Sequence, residues 1–262
     1  GPRYAFGEST KKMQAAIALL DRRVQTMIDE RRAHPTGKTD LLAKLLGAHD
    51  ENEAMSDKQV RDEILTLFIA GHETTASGLA WTLYLLCKNP EVYEAVQREV
   101  DAIGGAPTMD NLKSLALTLR CFKEALRLYP PVYIFPRQAT EATTLAGYEV
   151  PKNTLTFVSP YALHRRPEFW PDPETFDPDR FLPEREAARH RLAWLPFGAG
   201  PRVCIGNHFA MMEAQILLAR LLYTTRFELD GDDEPMPFTT LRPKHGVRVK
   251  TFARHSLPTS VH

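Results

Sequence analysis

The chain has 262 residues, with 33 basic and 33 acidic side chains, a formal net charge of zero and 43% apolar content. A chain of that length buries a real core and sits at the upper size of one domain. The balanced charge, without a basic run, gives no footing for nucleic acid, and no apolar stretch approaches the roughly 20 residues of a membrane span. Gly1-Pro2 reads as the scar of a cleaved tag and is set aside. Cys87, Cys121 and Cys204 form neither a spaced metal set nor a disulfide framework, and their odd number favours a reducing compartment.

In chain order the first half is helical. Ile17, Leu20, Val24, Met27 and Ile28 recur at helical spacing between Ser9 and Arg32, and a short helical piece follows at Asp40 to Leu46, beyond a break at His34-Pro35-Thr36-Gly37. Ser56-Asp57-Lys58-Gln59 is a capping box, and it opens a helix predicted over residues 57–88. At 1.5 Å per residue that helix is about 48 Å long. Its apolar residues lie nearly all round, which predicts a central position, and Gly71 and Thr74-Thr75 interrupt it. Asn89-Pro90 starts another helix that Gly104-Gly105 ends, and an amphipathic helix from Leu117 to Leu128 stops at Pro130-Pro131.

Residues 130–183 then hold ten of the twenty prolines, with hairpin signals at 143–148 and 154–158. Phe157, Phe169, Trp170, Phe176 and Phe181 give this segment aromatics to bury, so it is ordered chain and not a linker. A helix from about Asn207 to Tyr223 follows, then a final hairpin around Pro243-Lys244-His245-Gly246.

A buried structural thiol is the usual fate of a lone cysteine, and it is the reading for Cys87 and Cys121 on their apolar helices. Cys204 differs. Glycines at 198, 200 and 206 let the backbone turn tightly and bring N–H groups near the sulfur. The helix that starts just after it points its positive end at a thiolate, and Phe197 can shield the sulfur from water. The run Phe197-Gly198-Ala199-Gly200-Pro201-Arg202-Val203-Cys204-Ile205-Gly206 resembles the haem-binding signature of the cytochrome P-450 family, without a departure.

The resemblance implies a mainly α fold with small β-sheets, with residues 3–262 as the C-terminal helical haem-binding core of that fold. It implies haem b, with Cys204 as the thiolate ligand of the iron and Phe197, Gly198, Arg202 and Gly206 around the cofactor. Ala70-Gly71-His72-Glu73-Thr74-Thr75 on the long helix is similar to the family's oxygen-activation motif. Small Ala70 leaves room over the iron, Thr74 holds the reduced oxygen and a water, and Glu73 feeds protons from solvent. Glu124 and Arg127 match the family's Glu-x-x-Arg, and Arg180 matches the arginine that completes a buried structural triad. Arg137 and Arg202 are similar to its haem-propionate donors. Histidines 72, 164 and 208 lack paired metal spacing and read as surface or supporting residues.

The activity implied is insertion of one oxygen atom of O2 into a C–H bond, with electrons from a ferredoxin, flavodoxin or reductase. Phe68, Ile69, Val132, Tyr133, Ile134, Thr239 and Thr240 are the expected pocket lining, mostly apolar, for a lipophilic substrate. Arg185, Arg189, His190, Arg191 and Arg202 are the expected docking cluster for an acidic electron donor. Family members are longer, so an N-terminal part is expected to be missing, and any membrane anchor would belong to it; the visible portion reads as soluble, cytoplasmic and bacterial. The alternative is a truncated or split, non-catalytic haem-binding fragment that needs a complementary chain or dimerisation. A family member that rearranges peroxides is disfavoured by the Glu73-Thr74 pair.

Overall fold

The computed structural model describes residues 8–34, 37, 39–50 and 53–255, so the Gly1-Pro2 scar and Pro35-Thr36 of the expected break lie outside the described residues. Two compact units divide within one long helix, residues 1–72 and 73–262.

The first unit holds α1 (Glu8–Ala33), α2 (Leu41–Leu46), the short antiparallel pair β1 (His49–Asp50) and β2 (Glu53–Ala54), and the start of α3 (Asp57–Lys88). The capping box forms in both directions: the Ser56 N–H donates to Gln59 Oε1 at 2.8 Å and the Gln59 N–H to Ser56 Oγ at 3.3 Å. Val24 and Ile28 on one face of α1 bury against Val60, with Leu42, Leu45, Ile64 and Leu65 around them. Asp40 caps α2 at the Ala43 N–H and takes a two-pronged ion pair from Arg31 at 2.7 and 2.8 Å.

In the second unit α8 (Asn207–Thr224) packs on α5 (Ala116–Leu128) and α4 (Pro90–Asp101), α4 also meets α5, and the rest of α3 joins their apolar cluster through Trp81, Tyr84, Leu85 and Leu86. Thr75, Ser77, Trp81, Thr82, Tyr84, Leu85 and Leu86 are buried, and Gly78 permits close approach of α5, since a Cβ there would lie 3.0 Å from the Phe122 ring. The expectation that α3 is buried all round is corrected by its first half, where Phe68 and Ile69 are 57% and 61% exposed. The earlier turns interleave Asp62, Glu63, Thr66 and His72 with the apolar residues, whereas from Thr75 onward the buried positions Trp81, Leu85 and Leu86 enter the shared core. Long-range side chains close the helix ends. Both carboxylate oxygens of Glu99 accept from the start of α5, at Leu117 N–H and Thr118 N–H, and Gln215 of α8 donates to the carbonyls of Leu112 and Leu115.

The proline-rich segment pairs β3 (Phe135–Gln138) with β6 (Leu155–Val158) and, between them, β4 (Thr143–Leu145) with β5 (Tyr148–Val150). The β4–β5 turn has positive φ at Ala146 (51°) and Gly147 (85°), the twist a two-residue hairpin loop requires. Then come α6 (Pro160–Leu163), a 3-10 turn at Pro178–Phe181, α7 (Pro183–Ala188) and a 3-10 turn at Gly200–Arg202. After α8, β7 (Thr225–Leu229) pairs with β10 (Val249–Ala253) and encloses a hairpin of β8 (Pro235–Pro237) and β9 (Leu241–Pro243). The final hairpin therefore turns at 238–240 and not around Gly246, where a φ of 80° swings the chain from β9 toward β10, whose partner is the distant β7.

Candidate active site

Cys204 lies two residues before the N-cap of α8, in a loop that its glycines shape. Gly198 and Gly200 have φ of 71° and 75°, which side-chain-bearing residues rarely adopt. The Cys204 N–H donates to the Phe197 carbonyl at 2.9 Å, and the Gly198 N–H to the Leu195 carbonyl at 3.2 Å, so the loop is closed on itself. A Cβ on Gly206 would stand 3.9 Å from Cys204 Sγ. The thiol is exposed, beside Ile205 at 90% and Phe209 at 62% exposure. Phe197 packs edge-on to Trp194, with ring centroids 6.1 Å apart, and joins the cluster of Phe122, Leu126, Ala214 and Leu218. The other two thiols are less accessible: Cys87 is half-buried, which pushes its pKa up to about 11, and fully buried Cys121 is driven higher still.

Beneath this loop Glu124, Arg127 and Arg180 meet. Arg127, fully buried, forks onto Glu124 through Nε and Nη2 at 2.7 and 2.8 Å. Its remaining N–H bonds go to the carbonyls of His164, Pro173 and Thr175, at 2.9, 2.6 and 3.0 Å, so all five donors are used. Glu124 Oε1 also accepts from the Asp177 N–H, while Arg180 Nε stands 3.4 Å away as an ion-pair partner and its Nη2 donates to Asp172 O. Burial pushes the Glu124 carboxyl up from its ordinary value; the bonds from Arg127 and Asp177 and the charge of Arg180 oppose that. Trp170, Phe181, Trp194 and Phe197 form a chain of ring contacts 5.4 to 6.1 Å apart, running from the Arg127 neighbourhood to the cysteine loop.

Ala70 to Thr75 is helical throughout, with Ala70 exposed and open space beside Gly71. Glu73 and Thr74 are half-buried. The Thr240 hydroxyl donates to Glu73 Oε1 at 2.7 Å, so Thr240, expected as pocket lining, is buried and holds the acid. Thr239 is exposed. Val132 and Ile134 are exposed, and the Tyr133 hydroxyl donates to the Phe238 carbonyl. Arg137, on β3, is exposed with its guanidinium 4.7 Å above the Phe135 ring, and Arg202 is exposed at the end of its 3-10 turn; neither has an ion pair among the described residues.

The expected docking cluster is corrected at Arg189. Its guanidinium donates to the Arg180 carbonyl and covers the Trp170 ring at 4.0 Å, so it belongs to the loop's core, and burial lowers its pKa. Arg185 pairs with Asp177 at 3.5 Å but stays exposed, as do Arg191 and Arg202.

Sequence reasoning did not reveal the contacts of His164, whose ring lies buried between the Arg127 carbonyl and the Leu195 N–H, because only the fold brings those distant groups together. No group of three or more His, Cys, Asp or Glu side chains able to hold a metal ion occurs among the described residues, and no described helix is long and apolar enough to cross a membrane.

A lone thiol presented by a glycine-bent loop at a helix start, braced by a buried Glu–Arg–Arg cluster, defines a helical protein built around one cysteine donor. The cytochrome P450 family model matches residues 2–251, and the chain belongs to that family. It is 41% identical over 241 residues to cyclooctatin synthase of Streptomyces melanosporofaciens, covering 90% of this chain and 51% of that protein. It is 40% identical over 214 residues to human cytochrome P450 4V2, covering 79% of this chain and 41% of the relative. The cytochrome P450DA heme domain superposes with a TM-score of 0.89 at 34% identity, covering 95% of this chain and 56% of that one. The chain thus spans about half the length of the curated relatives it matches.

Proposed function

We propose that residues 3–262 are the haem-binding C-terminal portion of a haem-thiolate monooxygenase acting on a lipophilic substrate. The observation that carries this reading is the exposed Cys204 thiol in its closed glycine loop, at the positive end of an 18-residue helix and flanked by exposed apolar side chains. That donor set fits a large apolar cofactor bound through one thiolate. Bound haem b supplies the dioxygen chemistry, with the thiolate donating electron density to favour O–O cleavage.

The chain's own residues bind, orient and move protons. Cys204 holds the iron, while Phe197, Gly198 and Gly206 shape the ligand loop. Arg137 and Arg202, exposed and without carboxylate partners among the described residues, suit the haem propionates. Ala70 leaves space, and Thr74 presents its hydroxyl. Glu73, held at Oε1 by Thr240, has Oε2 available to take a proton from solvent and pass it inward. Val132, Tyr133, Ile134 and Thr239 offer mostly apolar surface to a lipophilic substrate, Phe68 and Ile69 do so on the first unit, and Arg191 and Arg202 offer positive charge to a ferredoxin, flavodoxin or reductase.

The test is a reduced carbon-monoxide difference spectrum of the haem-loaded protein. A strongly red-shifted Soret band, lost in Cys204→Ala, is expected; haem bound without that band overturns the reading. A second reading is that the chain works only when complemented by another chain or a second copy, and the 90% exposure of Ile205 together with exposed Phe68, Ile69 and Phe209 favours it. Sedimentation and turnover with an added electron donor separate the two.

A further inference from the structure

His164 is fully buried on the residue after α6, and both of its ring nitrogens meet backbone groups more than 30 residues away in sequence. Its Nδ1 lies 3.1 Å from the Arg127 carbonyl oxygen, and the Leu195 N–H donates to its Nε2 at 2.8 Å. A carbonyl only accepts and an amide N–H only donates, so one protonation state satisfies both contacts: the proton on Nδ1, the lone pair on Nε2. Imidazolium would turn Nε2 against the Leu195 N–H, and the other tautomer would break both bonds. Burial lowers the pKa to about 3, in keeping with a neutral ring.

Each bond leads onward. Arg127 also reaches back, since its Nη1 donates to the His164 carbonyl at 2.9 Å, so the two residues clasp through side chain and main chain in both directions. On the other side Leu195 begins the turn whose carbonyl accepts from Gly198 N–H, and the next carbonyl but one, Phe197, accepts from Cys204 N–H. A continuous run of hydrogen bonds therefore joins the Glu124–Arg127 pair to the backbone that aims Cys204.

We propose that His164, held as the Nδ1–H tautomer, is a positioning residue that fixes the peptide of Leu195 and through it the direction of the Cys204 sulfur. This rests on the haem-thiolate reading above. A residue that only filled space would serve as well with any isosteric ring, whereas this one must donate on one edge and accept on the other.

The experiment compares wild type with His164→Gln and His164→Asn in haem-loaded protein. The carbonyl of glutamine reaches the Nε2 position and keeps the Leu195 bond; asparagine reaches only the Nδ1 position and loses it. Asparagine is expected to convert a large part of the red-shifted carbon-monoxide band to the unshifted form, well below its melting midpoint, while glutamine retains it. Without haem, the Gly198 and Cys204 amides should exchange with deuterium about three- to tenfold faster in the asparagine variant, the effect of losing one hydrogen bond on a local opening. A wild-type-like band and exchange in His164→Asn overturns the proposal. So does nitrogen NMR of labelled wild type that finds the proton on Nε2, a measurement that needs no variant to fold. If wild type itself lacks the red-shifted band, the haem-thiolate reading has failed, and the exchange and NMR results still report on the loop.

Discussion

Thr240 Oγ1 donates to Glu73 Oε1 across 2.7 Å, joining residues 167 positions apart. The carboxylate on the long helix is thereby held from the C-terminal β-region. Thr240→Val keeps the volume and removes the donor, and it should cost about 1 kcal/mol of stability, the lower end for a bond to a partly solvated charge. On the monooxygenase reading proposed above, haem content and the carbon-monoxide band should not move, while product formed per electron pair falls roughly tenfold and hydrogen peroxide release rises, because Glu73 is displaced but still present. Thr240→Ser should restore coupling.

Breaking the buried pair is a different matter. Glu124→Ala leaves the five donors of Arg127 with one carboxylate fewer in a site of zero exposure, an uncompensated buried charge worth about 3–5 kcal/mol. Loss of haem retention and a drop in the urea midpoint are expected; normal haem content in the variant would contradict the assignment.

Acid should unfold the protein partly through His164. Its folded pKa of about 3 lies below the ordinary value of 6.5, with burial the first cause and the charges of Arg127 and Arg165 acting in the same direction. The unfolded chain therefore binds the extra proton first. The stability associated with the neutral ring is fully present above about pH 6.5 and is lost as pH falls toward 3, at up to about 1.4 kcal/mol per pH unit. Denaturant titrations across that window should show a shallower slope for His164→Gln than for wild type.

The three thiols should separate cleanly. Iodoacetamide at about pH 8 is expected to label exposed Cys204 and spare Cys87 and Cys121, whose burial both hides them and opposes thiolate formation. Peptide mapping reads the result, and the labelled protein should no longer take up haem. Haem loaded beforehand should protect the residue.

Gly78→Ala tests the approach of α3 and α5. Alanine is the better helix former, yet its methyl would lie 3.0 Å from Phe122 Cε2 and 3.3 Å from Leu126 Cδ2, on a ring that is itself buried. Overpacking should outweigh propensity, with a net loss of about 1–3 kcal/mol in thermal or urea unfolding.

Local signals were legible in the sequence where the physics is local. Ser56 with Gln59 and Asn89 with Pro90 bracket α3 at the residues where it begins and ends, because capping is decided within a turn. Pairing of β7 with β10 was not legible, since the turn-forming residues near Gly246 say only that the chain bends and nothing about which distant strand lies alongside. The same holds at the site. Cys204 carries its loop with it, whereas His164, Thr240, Glu99 and Gln215 act on groups 18 to 167 residues away and leave no mark of that in their neighbourhoods.

Arg127 reads carbonyls 37, 46 and 48 residues further along the chain. During synthesis α5 therefore leaves the ribosome with Glu124 in place but three of the five guanidinium N–H bonds still without their final acceptors, the last of which is the Thr175 carbonyl. The helix has to wait, open and hydrated, for about 50 more residues, a loop whose closure entropy is modest. A chaperone that shields this stretch should matter most in that interval, and a ribosome pause placed between the codons for Leu128 and Thr175 should lower the yield of native protein more than one placed after it.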